Sequence, residues 1–408
     1  MTSILRLSPN MHLRAVDVRG VLAHLSELRC VSVTGFSNVG KSEFLRLLAD
    51  PQVWTAELGK RGAGFLPVYI DCNRMLEMTD QGFYELILRC LQETDPDLAR
   101  NQELTDAYET LIAPRSEFQV PLSFNRGLDA VLHATDRRLV LILDEFDEPF
   151  QQIDSRVFLN LRAKKDRNWE RIVYVTATVH ALTGLRNEEH TGEFCELFVH
   201  HTWPLRPMTR EDVRRWAEMA GERESPRLDE EDVAWMMLWA GGHPGMLTRL
   251  RSLLLPALEE AASPQARWSA RRRLETSLIQ DPVLQQECEK IWRQCSEEER
   301  IALTALLAGG GLHKVDESVV QGLRRRGLLQ EENQDVRVFA RLFAEFIQEQ
   351  AGEQPAPQPL PPGPRVYVDE ESGQVYLDGA PIPPLTRLEH RLMTLLATHA
   401  GAIVDKYR

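Results

Sequence analysis

The sequence has no apolar run approaching the roughly 20 residues that span a bilayer as a helix. Its longest candidate, Leu139 to Leu143, is the length of a buried strand, so no membrane partner is expected. The N-terminus lacks a basic segment followed by an apolar stretch and a small-residue cleavage site, which makes the cytoplasm the expected location. Cysteine is sparse: Cys30, Cys72, Cys90, Cys195, Cys288 and Cys295 form no CxxC pair. That argues against a disulfide framework or a paired-cysteine zinc site and predicts buried free thiols. Positive charge is also in deficit. A net charge of -13 argues against a chain that coats nucleic acid indiscriminately, although a small DNA-reading module depends on local patches. No internal repeat is evident.

What is present is enough for several packed cores: 43% of the 408 residues are hydrophobic and 27% are charged. A helix is expected over Val16 to Leu28, then a buried strand in CVSVTG, and a helix in SEFLRLLAD. PVYIDC (Pro67 to Cys72), Arg138 to Leu143 and Arg171 to Thr176 read as further strands separated by helical patterns. Strand–helix alternation implies an α/β fold, a parallel sheet covered on both faces. From residue 207 the pattern is helical, with one strand signal near Val336 to Phe339. Residues 351–365 hold six prolines and read as a semi-rigid spacer. Beyond it, VYVDEESGQVYLDG reads as a hairpin and Thr386 to His399 as a helix. The expected divisions are 1–206, 207–285, 286–350, 351–365 and 366–408.

GFSNVGKS, Gly35 to Ser42, meets every fixed position of GxxxxGK[ST] between a strand and a helix, the context that motif needs. Gly35 and Gly40 let the backbone turn. The amides of Gly35, Phe36, Ser37, Asn38, Val39 and Gly40 can then point inward as an anion nest, with the positive end of the next helix behind them. Lys41 would place its charge on the β- and γ-phosphates, and Ser42 would offer a hydroxyl to magnesium. ATP with Mg2+ is the expected ligand.

RRLVLILDEFDEPF delivers Asp144 at the end of an apolar strand. Asp144 would hold magnesium, and Glu145 is the candidate to polarise an attacking water. Asp147 and Glu148 continue the acidic run as surface or supporting groups. The strand RIVYVTAT ends in Thr176 and Thr178, either of which could sense a γ-phosphate. Threonine is also simply common in strands.

These residues, with the late GGHPGML at Gly241 to Leu247, resemble the STAND and AAA+ class of P-loop ATPases over residues 15–345. The resemblance implies that GGHP opens a helix of a lid closing over the nucleotide, with Pro244 near the adenine and His243 near the phosphates. Locally, GGHP is also plain punctuation between two helices. No arginine finger is clear; Arg156 and Arg162 read as solvated helix charge, which suits a slow switch better than a motor. Residues 296–348 resemble a winged helix that packs on the ATPase, despite the tempting run Arg324, Arg325 and Arg326. Residues 366–408 resemble the start of an OmpR/PhoB-type winged-helix DNA-binding domain. Thr386 and Glu389 stand at capping-box spacing, and Leu388, Leu392, Leu395 and Leu396 form the core face. That family's recognition helix would come later in the chain, so the sequence reads as a fragment of a longer regulator. Together these features imply an ATP-dependent, signal-transducing transcriptional regulator with DNA as a partner and with nucleotide-dependent self-association possible. An AAA+ remodelling or initiator-like ATPase and a nucleotide-gated oligomerising defence protein are the alternatives.

Overall fold

The computed structural model describes residues 6–8, 11–186, 188–221, 226–261, 263–309, 312, 315–332, 335–353, 366–368, 375–377, 380–381, 385–386, 389–391 and 393. Five strands form a parallel sheet: β1 (Val31–Thr34), β2 (Phe65–Asp71), β3 (Arg138–Asp144), β4 (Ile172–Thr178) and β5 (Thr202–Pro204). Their order across the sheet is β2-β3-β4-β1-β5. The α/β class and four of the strands match the reading of the sequence. Strands covered on both faces read as unbroken apolar runs, and β1 and β4 are buried at every residue. The strand β5 was not anticipated. It has three residues, too few to show a period, and it ends in Pro204, which is tolerated because the strand lies at the sheet edge. Its Trp203 lies over α1 (Ala15–Ser26) at Gly20, where a Cβ would fall 2.0 Å from the indole.

After β1 the chain turns through residues 35–40 into α2 (Lys41–Leu48). Three helices, α3 (Asp80–Thr94), α4 (Gln102–Ile112) and α5 (Gln119–Ala134), pack on one another between β2 and β3. A further helix, α6 (Ser155–Arg167), precedes β4, and Tyr174 in that strand donates to the carbonyl of Leu161 at 2.9 Å. Phe146, Phe150, Phe158 and Phe194 stack into one aromatic cluster beside it. All six cysteines are buried and stand outside any disulfide among the described residues.

Next come α7 (Arg210–Gly221), α8 (Glu230–Ala240), α9 (Pro244–Glu259), α10 (Pro264–Leu278) and α11 (Pro282–Arg293). Thr209 caps α7, its hydroxyl accepting from the Asp212 amide at 3.2 Å. Two shorter helices, α12 (Glu297–Leu307) and α13 (Glu317–Arg326), lead to an antiparallel pair, β6 (Leu329–Glu332) and β7 (Asp335–Val338), and then to α14 (Arg341–Glu353). The division expected at 285 falls inside α11. Residues 1–348 form one compact unit and 349–408 a second. In the second unit, β8 (Val366–Val368) and β9 (Val375–Leu377) pair antiparallel as the expected hairpin, and β10 (Ala380–Pro381) joins β9. Thr386 and Glu389 exchange the bonds of a capping box, the Glu389 amide reaching the Thr386 hydroxyl at 3.4 Å. Most of the proline-rich spacer and the leucines at 388, 392, 395 and 396 lie outside the described residues.

Asp232 holds the helical region together. It is fully buried in α8, and it accepts from Arg267 and, at 2.7 Å, from Arg271, both on α10. It also closes the capping box of its own helix with Asp229. Removing one partner of a buried ion pair strands the others. Asp232→Ala is expected to cost about 3–5 kcal/mol, read as a lowered urea midpoint; a loss below about 1 kcal/mol would show that water replaces the carboxylate.

Candidate nucleotide site

The phosphate loop leaves the C-terminal end of β1, where open parallel sheets bind ligands. Its first residue is fixed by a bond from the Gly35 amide to the carbonyl of Thr178, 3.1 Å. Asn38 (φ 56°) and Gly40 (φ 97°) are both left-handed. Space around Gly40 is ample, with the nearest atoms 3.6 Å from where a Cβ would sit, so its backbone angle is what selects glycine. Lys41 is buried, its ammonium donating to the carbonyls of Gly35 (2.8 Å) and Phe36 (3.5 Å). Burial lowers its pKa, and Asp147, Glu145 and Asp144 oppose that. Ser42 is half-buried at the next position of α2.

Asp144 is 1% exposed at the end of β3. One carboxylate oxygen accepts from the Glu145 amide at 3.0 Å, and the other accepts from the Tyr69 hydroxyl at 2.6 Å. Burial first, and then the bond to Asp144, push the Tyr69 pKa upward, so the phenol keeps its proton and donates. Arg46 of α2 lies 5.4 Å over the Tyr69 ring. Glu145 has φ 52°, an unfavourable angle for a side chain with a Cβ, of the kind that clusters at functional sites. That turn leaves Glu145 exposed. Desolvation and the neighbouring Asp144 raise its carboxyl pKa, with Lys41 pulling the other way.

Asp147 is closer to the chemistry than a surface group. It heads the charges that hold up the Lys41 pKa, and its side chain accepts from the Val179 amide at 2.8 Å. Glu145, Asp147 and Glu148 also line a cleft of about 250 Å³ with Met75, Leu76 and Met78. Of the two threonines, Thr178 donates to the carbonyl of His180 at 2.6 Å. Thr176 is fully buried, in register with Ser32 and Leu143, and its hydroxyl has no hydrogen-bond partner among the described residues. Arg162 pairs with Asp166 at 2.8 Å and Arg156 is exposed.

The GGHP segment meets the loop. Gly241 (φ 58°) and Gly242 (φ 85°) are left-handed, and a Cβ on either would lie 2.1 Å from a carbonyl, that of Phe339 or Met208. No other residue fits there. They aim His243 at the loop. Its Nδ1 accepts from the Met246 amide at 3.2 Å, capping α9, so the proton sits on Nε2 and is donated to the Ser37 carbonyl at 3.0 Å. The ring stacks on Phe36, 5.6 Å between centroids and 9° from parallel. Burial pulls its pKa down to about 4. Pro244 follows at the first helical position, 3.6 Å from where a Cβ on Gly40 would sit.

Three contacts to the loop had no signal in the sequence. Arg14 is buried and left-handed, and donates to the carbonyls of Val39 (2.5 Å) and Arg206 (2.8 Å). Glu287 accepts from the Asn38 side chain, and Gln294 bonds both the amide and the hydroxyl of Ser37. They lie 25 to 257 residues from their partners and belong to no motif.

Ser42 and Asp144 are hard oxygen donors of the kind magnesium takes, usually together with substrate phosphates. Among the described residues no cluster of three or more His, Cys, Asp or Glu could hold a metal, so an ion here would depend on such phosphates. No helix of the described residues is long and apolar enough to cross a membrane.

The family model described as Novel STAND NTPase 1 matches residues 11–350. No curated protein matches. Among solved structures, the Walker-type ATPase PABY2304 of Pyrococcus abyssi is similar at 14% identity and TM-score 0.46, over 85% of this chain and 99% of that one. ORC1 of Aeropyrum pernix, solved in complex with DNA, is similar at 15% identity and TM-score 0.39, over 85% and 96%. A RuvB variant of Thermotoga maritima is similar at 13% identity and TM-score 0.41, over 83% and 96%.

The buried His243 fixes a pH dependence. Unfolded histidine titrates near 6.5 and the folded one near 4, so the unfolded chain takes the proton first. The contribution of His243 is complete above about pH 6.5 and is lost toward pH 4, by up to roughly 1.4 kcal/mol per unit. Urea unfolding across that window should show a flatter acid limb for His243→Asn than for the parent; equal slopes would mean the ring is protonated in place.

Proposed function

The chain belongs to the Novel STAND NTPase 1 family, and from that premise we propose that it is an ATP-controlled switch whose lid reads the nucleotide through His243 and Pro244. The observation that carries this reading is the contact of GGHP with the phosphate loop: His243 bonds Ser37, and Pro244 flanks Gly40. A nucleotide in the loop and the position of α9 then belong to one equilibrium.

In this reading the amides of residues 35–42 receive the phosphates, and Lys41 turns from the carbonyls of Gly35 and Phe36 toward the β- and γ-oxygens. Ser42 and Asp144 hold magnesium, which supplies positive charge to the phosphate chain when bound. Tyr69 keeps Asp144 in orientation through its 2.6 Å bond. Glu145 takes the proton of the attacking water, its raised pKa favouring that role. Thr176 or Thr178 marks the γ-phosphate end, with the free hydroxyl favouring Thr176. Hydrolysis is slow and serves to reset the switch.

Residues 207–285 act as the lid, and α12, α13 and the β6–β7 wing as a winged helix that packs on the ATPase. The arginine run supports that internal role. Arg324 pairs with Glu331 at 2.7 Å, Arg326 pairs with Glu299 at 2.6 Å and also bonds the Gln294 carbonyl, and the Arg325 carbonyl accepts from Arg206. The C-terminal unit, with its hairpin and the Thr386–Glu389 cap, starts an OmpR/PhoB-type module through which the protein binds DNA as a transcriptional regulator. Self-association, if it occurs, would follow the nucleotide.

Lys41→Ala is expected to lose binding of a fluorescent ATP analogue. Glu145→Gln should retain binding while phosphate release falls by roughly 10²-fold or more. An alanine variant that binds as tightly as the parent would remove the loop from the mechanism. For the output, the protein should retain specific duplexes from a genomic library differently with ADP and with a non-hydrolysable ATP analogue. Equal, non-specific retention in both would sink the DNA role.

A further inference from the structure

The carboxylate of Glu287 is seated on a loop whose architecture attracts anions. Glu287 is 7% exposed, and both its oxygens accept from the Asn38 side-chain amide, at 2.9 and 2.8 Å. Asn38 is the left-handed residue in the middle of GFSNVGKS. On the same helix face, seven residues on, Gln294 takes up the neighbouring loop residue: its carbonyl oxygen accepts the Ser37 amide at 2.8 Å and its amide bonds the Ser37 hydroxyl. Two adjacent loop residues are thus gripped from the end of one helix, α11. Arg326 in turn donates to the Gln294 backbone carbonyl at 3.2 Å, which ties the grip to α13.

The charge on Glu287 is what calls for an explanation. A neutral glutamine could accept from Asn38 without the cost of burying an ion. Convergent amides and a helix N-terminus attract negative charge, and a carboxylate held beside them on the Asn38 side chain repels a further anion. Among the described residues its ion-pair partner is Lys290, one turn later, at 2.8 Å and 39% exposed. A nucleoside triphosphate brings more negative charge into the loop than a diphosphate.

We propose that Glu287 is a charge gate: it biases the site toward nucleoside diphosphate over triphosphate, and release of α11 from Asn38 and Ser37 is the response to the added phosphate. This rests on the reading that residues 35–42 bind nucleotide. The gate gives that switch its sensing residue, outside every motif of the ATPase.

The test is equilibrium binding of Mg–ADP and of Mg–AMPPNP to the whole chain. Glu287→Gln keeps an acceptor for Asn38 and removes the charge. It should raise the AMPPNP-to-ADP affinity ratio by roughly tenfold, the scale of one like charge about 10 Å away at an effective dielectric of 20. Glu289→Gln, on the same helix but exposed and paired with Arg293, should leave the ratio unchanged. Lys290→Gln, which bares the carboxylate, should move the ratio the opposite way, and it tests the gate independently if Glu287→Gln fails to fold. In the parent, AMPPNP should speed amide hydrogen exchange in residues 282–293 relative to ADP. If the parent binds both nucleotides and neither Glu287→Gln nor Lys290→Gln moves the ratio, the gate is wrong and the nucleotide site stands. If the parent binds neither, the site assignment falls and the gate with it.

Discussion

The ring proton of His243 ties the phosphate loop to the helix that follows GGHP. Because Nδ1 of His243 is occupied by the Met246 amide, Nε2 must carry the hydrogen that reaches Ser37. The same imidazole therefore starts a helix and closes a loop some two hundred residues away in sequence. Burial against Phe36 pulls its pKa down to about 4, so protonation does not disturb either bond near neutral pH. The two left-handed glycines before it exist to bring that ring into line, with carbonyls of Met208 and Phe339 packed where side chains would start.

Around this joint, charge is distributed with little slack. One lysine faces three carboxylates across the loop, while a buried arginine supports the loop from behind through a carbonyl. Burial lowers the lysine's pKa, and Asp147, Glu145 and Asp144 oppose that shift. Tyr69 shows the same economy: burial and then the carboxylate it orients keep its phenol a donor, and its ring carries the guanidinium of Arg46. An acidic chain can therefore build an anion site, because the fold places few but well-buried cations where they count.

The sequence was most legible where chemistry and periodicity coincide. The loop, the acidic end of β3 and GGHP are compact patterns with a physical reason for each residue, and the structure brings them to one place. Strands β1 to β4 were readable because apolar and β-branched residues dominate strands covered on both faces. By contrast β5 is three residues long, and nothing local marks it. Arg14, Glu287 and Gln294 were invisible for a different reason: each is an ordinary helix or lead-in residue, and its meaning arises from a partner far along the chain. Asp147 was left open between a surface and a supporting role, since spacing along DEFDE does not reveal which carboxylates the turn at Glu145 brings near Lys41.

Arg14 carries a consequence for how such a protein can be dissected. Its amide is bonded to Asp212 at 2.8 Å, and Asp212 is the residue that Thr209 caps at the start of α7. Its guanidinium reaches Val39 and Arg206. A single residue ahead of the first helix thus staples the phosphate loop to the helical region. A shorter chain trimmed to begin at α1 would retain every recognisable signature and still lose that staple. The minimal working unit is set by where this guanidinium sits rather than by where the motifs begin.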